Sequence, residues 1–142
     1  MPRLPQENHG LGALFEQWSA NERDLDKCPV RRVLSKIGNR WTTLVPIALS
    51  QRPLRFNEIV RAIPDISKRM LTQTLRELER DGLVLRQVFP TKPPTVEYQL
   101  TELGKSLLEP IAGLVSWAEA TRLEIEQARL VFDRVASDGA NA

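Results

Sequence analysis

Five side chains concentrate the chemistry in this sequence. Lys68, Arg69, Thr72, Gln73 and Arg76 recur at intervals of three and four residues, so on a helix they share one face. Glutamine can bond adenine bidentately and arginine can bond guanine, while threonine offers a hydroxyl and a methyl group. Lysine and arginine also reach phosphate. A merely solvated helix face would mix lysine with glutamate, whereas here Glu77 and Glu79 follow only after the basic residues. Cys28 is the other reactive group. Lys27, Arg31 and Arg32 lie close by, and with a helix N-terminus they favour the thiolate. A lone cysteine can equally be a small buried thiol with no reactivity. One cysteine makes neither an intrachain disulfide nor a zinc cluster, and His9 has no partner at metal-ligand spacing. There is no nucleophile paired with a base, no carboxylate cluster and no glycine-rich phosphate loop, so neither an enzyme nor a cofactor or metal site is expected.

The elements around these residues must supply a core and a charge frame. Of 142 residues, 42% are hydrophobic and 27% charged, the mix of an ordinary globular domain. The net charge of +2 conceals a gradient. Residues 1–29 hold three Lys/Arg against five Asp/Glu, residues 30–100 thirteen against six, and residues 101–142 four against seven. A basic middle between acidic flanks suits a core that binds a polyanion, although uneven solvated surface gives the same sums. No apolar run is long enough for a membrane span, the N-terminus lacks a secretory core, and a single cysteine suits a reducing compartment. A cytoplasmic protein with no membrane partner is expected.

Residues 1–27 read as a loose arm followed by a short amphipathic segment, with Leu11, Leu14, Phe15, Trp18 and Leu25 at helical spacing. Its apolar face is too narrow for a core and needs a docking partner. After Cys28-Pro29, helices are expected over Val30–Gly38, Trp41–Leu49 and Arg55–Ile63. Pro46 would kink the second or start it anew. Ser67 caps a fourth helix over Lys68–Asp81, whose buried face carries Leu71, Leu75 and Leu78. Leu83–Phe89 and Val96–Leu100 read as strands joined by the proline-bracketed loop 90–95. Thr101 opens a helix to about Val135, with Pro110 and Gly113 placed to bend or divide it. Residues 136–142 read as a flexible tail.

The resulting class is mainly α with a small β-hairpin (α+β), arranged as helix, helix, helix, hairpin, helix. That order is a winged helix-turn-helix, with residues 28–100 as the DNA-binding domain and 101–135 as a long C-terminal helix that outreaches it, so that part of its apolar stripe needs a partner. The helix at Lys68 should enter the major groove. Thr91, Lys92 and Thr95 in the loop between the strands offer phosphate or minor-groove contacts, unless the loop is a plain hairpin turn.

From Cys28 through about Trp117 the sequence resembles the HxlR-type winged helix-turn-helix regulators, relatives of the MarR group. The landmarks are Gly38-Asn-Arg-Trp41-Thr, Arg55-Phe-Asn-Glu-Ile59, the run Ile66–Leu78, Asp81-Gly-Leu83 and the run Pro93–Gly104. Pro46 and the length of the last helix depart from the family pattern. The resemblance implies a homodimer built by the N-terminal segment and the last helix, an inverted-repeat operator, and DNA contacts from Arg55, Ser67, Lys68, Arg69, Thr72, Gln73, Arg76, Thr91, Lys92 and Thr95. It further implies that Cys28 stands where thiol sensors of the family carry their cysteine. Oxidation would yield a sulfenic acid, a mixed disulfide or a Cys28–Cys28 bridge. A small effector, if one binds, would sit by Trp41 and Trp117. A winged helix that binds protein rather than DNA is the alternative, and it predicts a neutral or acidic face where Lys68–Arg76 stand.

Overall fold

The computed structural model describes residues 39–140, together with 11–13 and 16. Cys28, His9, Trp18 and the helix expected over Val30–Gly38 lie outside the described residues. So does most of the segment Leu11–Leu25, of which Leu11-Gly12-Ala13 and Glu16 are helical. The elements are α1 (Arg40–Ala48), β1 (Leu54–Arg55), α2 (Phe56–Ala62), α3 (Lys68–Arg80), β2 (Val84–Phe89), β3 (Thr95–Leu100) and α4 (Glu102–Ala140). Two compact units divide the described residues, one closing at Glu109 and the other beginning at Pro110. Among the described residues no helix is long and apolar enough to cross a membrane.

The first unit is a winged helix-turn-helix. Asn39 caps α1, its side-chain oxygen accepting from the Trp41 amide at 3.0 Å. The helix neither ends nor restarts at Pro46. Proline removes one amide donor, but here only two helical residues follow, and the Leu49 amide already reaches the Val45 carbonyl at 3.0 Å. The Pro46 ring is buried, so it adds to the core. Val45 and Leu49 meet Leu54, Ile59, Ile63, Ile66, Leu71, Leu75, Leu78, Val84 and Leu100 in one cluster.

The sheet has three strands in the order β1-β3-β2, all antiparallel. The expected two-stranded hairpin is present, with Val84 opposite Leu100 and Phe89 opposite Thr95. The added strand is Leu54–Arg55, expected instead to lead into a helix. Leu54 pairs with Tyr98 and Arg55 with Glu97. Two residues are too few to show an alternating pattern, yet the burial is that of a strand, Leu54 inward and Arg55 outward.

A tight joint links α3, the sheet and α4. The amides of Gly82 and Leu83 bond back to the carbonyls of Glu79 and Leu78 at 3.0 and 2.9 Å, a Schellman closure that needs the left-handed φ of +77° at Gly82. Thr101 then donates its hydroxyl to the Gly82 carbonyl at 2.6 Å, and the same oxygen accepts from the Gly104 amide at 3.0 Å. At Gly104 the helix passes so close that a Cβ would run into the Leu83 carbonyl oxygen.

The second unit is the helical stretch of α4 from Pro110. The division expected at Pro110 or Gly113 does not occur, and the helix runs to Ala140 rather than fraying after Val135. Residues 136–140 hold no proline, and Ala136 and Ala140 favour the helix against the modest cost of Gly139. Thr121 donates to the Trp117 carbonyl at 2.8 Å. Ile111 and Thr121 are buried, while Leu114, Trp117, Leu123, Leu130, Phe132 and Val135 are exposed.

Gly104→Ala should destabilise the domain by about 1–3 kcal/mol, because backbone rather than a flexible side chain must give way. Denaturant unfolding of the two proteins measures it.

Candidate nucleic-acid interface

Ser67 sets the start of α3: its hydroxyl oxygen accepts from the Met70 amide at 3.0 Å, and the Leu71 amide bonds the Ser67 carbonyl at 2.9 Å. Burial of Leu71, Thr74, Leu75 and Leu78 fixes the rotation of the helix. Lys68, Arg69, Thr72, Gln73 and Arg76 are therefore all exposed. Arg69, Thr72, Gln73 and Arg76 line one shallow groove along α3, joined by Glu77 and Arg80. No described residue forms an ion pair with Lys68, Arg69, Arg76 or Arg80. Their charge is thus available to an external anion. The Thr72 hydroxyl donates to the Lys68 carbonyl at 2.9 Å, so Thr72 presents its methyl and the acceptor capacity of its oxygen. The helix carries no acidic residue in its first turn, so the positive end of its dipole is not offset there.

A second cluster forms at the hairpin loop. Arg55, Asn57, Thr91, Lys92 and Thr95 line one open groove with Pro93 and Pro94. Arg55 reaches it because β1 pairs beside β3. Thr91 donates to the Pro93 carbonyl at 2.7 Å. The Thr91 and Thr95 hydroxyl oxygens are also 2.7 Å apart. Since Thr91 has one proton, Thr95 donates to it. These hydroxyls shape the loop, and Lys92 and Arg55 are left as its exposed cations. Glu58 braces this end: one carboxylate oxygen accepts from the Arg55 amide at 3.0 Å and the other from Arg52 at 3.1 Å. The Arg55 amide, with Arg52 second, holds the Glu58 carboxyl below the ordinary glutamate range.

Arg80 and Asn57 belong to these grooves but were not among the expected contacts. Arg80 continues the helical spacing of Gln73 and Arg76, a signal present in the sequence. Asn57 carried no signal, because its place depends on the unforeseen β1. Trp41 packs on the core of the first unit with the Arg40 guanidinium 5.3 Å above its ring. Trp117 stands exposed in the second unit. Cys28 lies outside the described residues. Among the described residues no group of His, Cys, Asp and Glu is placed to hold a metal.

A family model described as HxlR-like helix-turn-helix matches residues 36–126. An uncharacterized HTH-type transcriptional regulator of Methanothermobacter thermautotrophicus is 49% identical over 92 residues, 65% of this chain and 70% of that protein. The HTH-type transcriptional regulator YodB of Bacillus subtilis is 41% identical over 93 residues, 65% of this chain and 83% of that one. Its diamide-treated crystal structure matches with a TM-score of 0.58 at 40% identity, covering 66% of this chain and 93% of that one. The redox regulator HypR in its reduced form matches with a TM-score of 0.65 at 41% identity, over 70% and 98% of the two chains. Its oxidized form gives 0.61 and 43%, over 66% and 96%.

The Glu58 brace carries a pH dependence. Because its folded-state pKa is depressed, its stabilisation is complete at neutral pH and is lost as pH falls through and below the ordinary glutamate range. Glu58→Gln should flatten the dependence of thermal stability on pH across that acid limb, and thermal melts of both proteins at stepped pH will show it.

Proposed function

The chain belongs to the HxlR-like helix-turn-helix family of DNA-binding transcriptional regulators, and from that membership we propose that it binds an inverted-repeat operator as a homodimer. The observation that carries this reading is the groove on α3, where Arg69, Thr72, Gln73 and Arg76 stand exposed and the two arginines form no ion pair with a described residue. In the proposed complex these four side chains face base edges in the major groove. Lys68, Arg55 and Lys92 reach phosphates. Ser67 contributes as the cap that starts the helix, and Thr91 and Thr95 as the bonds that shape the wing. The exposed basic face counts against the protein-interaction alternative, which calls for a neutral or acidic one.

Dimerisation is supported by the exposed apolar side chains of α4 beyond Pro110. A two-fold axis would set two copies of α3 about one DNA turn, ~34 Å, apart. We further propose that modification of the Cys28 thiol, or a small effector near Trp41 and Trp117, changes that spacing and with it operator affinity. Similarity to HypR, solved in oxidized and reduced forms, and to diamide-treated YodB supports the thiol route.

Selection of bound sequences from random duplex DNA, with reduced and with peroxide-treated protein, tests both parts. An inverted repeat lost on oxidation, and retained by Cys28→Ser, is the expected result. A repeat indifferent to peroxide removes the thiol switch, and no enriched sequence removes the operator. Gln73→Ala with Arg76→Ala should abolish sequence preference while leaving the dimer intact. Lys92→Ala should weaken binding to all sequences alike and lower the slope of log K against log salt by ~1.

A further inference from the structure

The family match ends at residue 126, but α4 continues to Ala140. Fourteen helical residues, 127–140, thus lie beyond the residues that the family model matches. Along α4 from Ile111, apolar or small residues recur at alternating steps of three and four: Ile111, Leu114, Ala118 and Thr121, then Ile125, Ala128, Phe132 and Val135. That is a heptad seam, in which a and d positions alternate. Ile111 and Thr121 are already buried within the chain. From Ile125 onward every seam residue is exposed, Phe132 at 73% and Val135 at 65%. Ala128, Val131, Phe132 and Val135 line a shallow groove with Glu124 and Gln127.

We propose that residues 125–135 of α4 pair with the same segment of a second copy as a parallel, in-register coiled coil. This pairing rests on the homodimer proposed above and names a contact within it that lies largely outside the family match. The charges beside the seam select both the partner and its direction. With Ile125 and Phe132 at a, Ala128 and Val135 at d, the flanking g positions are Glu124 and Val131 and the e positions are Arg122, Arg129 and Ala136. In a parallel pair g faces the e position five residues on in the other helix, so Glu124 meets Arg129 of the second copy, twice by symmetry. An antiparallel pairing of the same segment sets e against e and g against g, bringing Arg129 to Arg129 and Glu124 to Asp138 of the second copy. Glu124 and Arg129 hold no ion pair with any described residue, whereas Arg122 is 3.8 Å from Glu126 of its own helix. Two heptads are short for a free-standing coiled coil. Joined to a dimer, the two segments pair at high effective concentration.

Single cysteines in a Cys28→Ser background test the geometry, with diamide as the oxidant that joins two thiols. At a d position of a parallel pair the two sulfurs are within bridging distance, so Val135→Cys should cross-link at least ~10-fold faster than Leu130→Cys on the outer face. Glu124→Arg added to Val135→Cys should slow cross-linking, and adding Arg129→Glu as well should restore it. Equal rates for Val135→Cys and Leu130→Cys in a protein whose mass by light scattering is that of a dimer overturn the coiled coil and leave the homodimer standing. Failure of the charge swap to restore cross-linking overturns the parallel register. A monomeric mass for the unaltered chain overturns the homodimer and the coiled coil together.

Discussion

Leu71, Thr74, Leu75 and Leu78 lie on one side of α3 and are all buried, and the rotation that this burial imposes is the constraint on which the interface depends. A helix repeats every 3.6 residues, so turning one strip inward turns a definite other strip outward. Three leucines at roughly 1.5–3 kcal/mol each far outweigh any preference of the polar side chains for a particular direction. A 13-residue helix is marginal by itself in water. The energy that forms α3 and the geometry that aims Arg69, Gln73 and Arg76 therefore come from the same contacts. Any change that loosens the leucine strip loosens the groove with it.

The end of that helix matters as much as its face. Gly82 turns the chain, Thr101 ties the turn to the start of α4, and Gly104 lets the helix pass against the Leu83 carbonyl. The hairpin is thereby held at its base, where Val84 and Leu100 pair in the core. Its far end is shaped differently, by the Thr91–Thr95 and Thr91–Pro93 bonds. A loop with internally satisfied hydroxyls and two adjacent prolines has little freedom left to lose on meeting a ligand.

What the sequence made legible follows periodicity. The leucine strip, the donor strip opposite it, the hairpin and the long last helix each span several repeats of 2 or 3.6 residues, and the structure has all of them. Short or tertiary features were harder to see. β1 is two residues long and exists only because β3 lies alongside it, so periodicity alone makes Arg55 the start of a helix and gives no signal for Asn57. Thr74 is polar by type and buried by position, because two neighbouring leucines carry it inward. By type Thr91 and Thr95 are free donors, since composition cannot reveal that the Thr91 hydroxyl spends its proton on the Pro93 carbonyl. A small, polar composition resembles a tail, so the sequence predicts the end of α4 at about Val135, although no proline forbids the helix that continues to Ala140.

The two basic grooves differ in a way that divides their labour. The α3 groove sets planar, bidentate-capable groups, Arg69, Gln73 and Arg76, on a rigid helix, the kind of donor that the proposed base readout requires. The groove at the wing offers two cations, Arg55 on an edge strand and Lys92 at a loop tip, suited to phosphate anywhere along a duplex. Glu58 strengthens this division. By holding both the Arg55 amide and the Arg52 side chain, it secures the backbone from which Arg55 reaches out while neutralising Arg52, the neighbouring charge. Arg55 forms no ion pair with a described residue and is the arginine that lines the groove. Electrostatics here is thus shaped by pairing one arginine as much as by aiming the other.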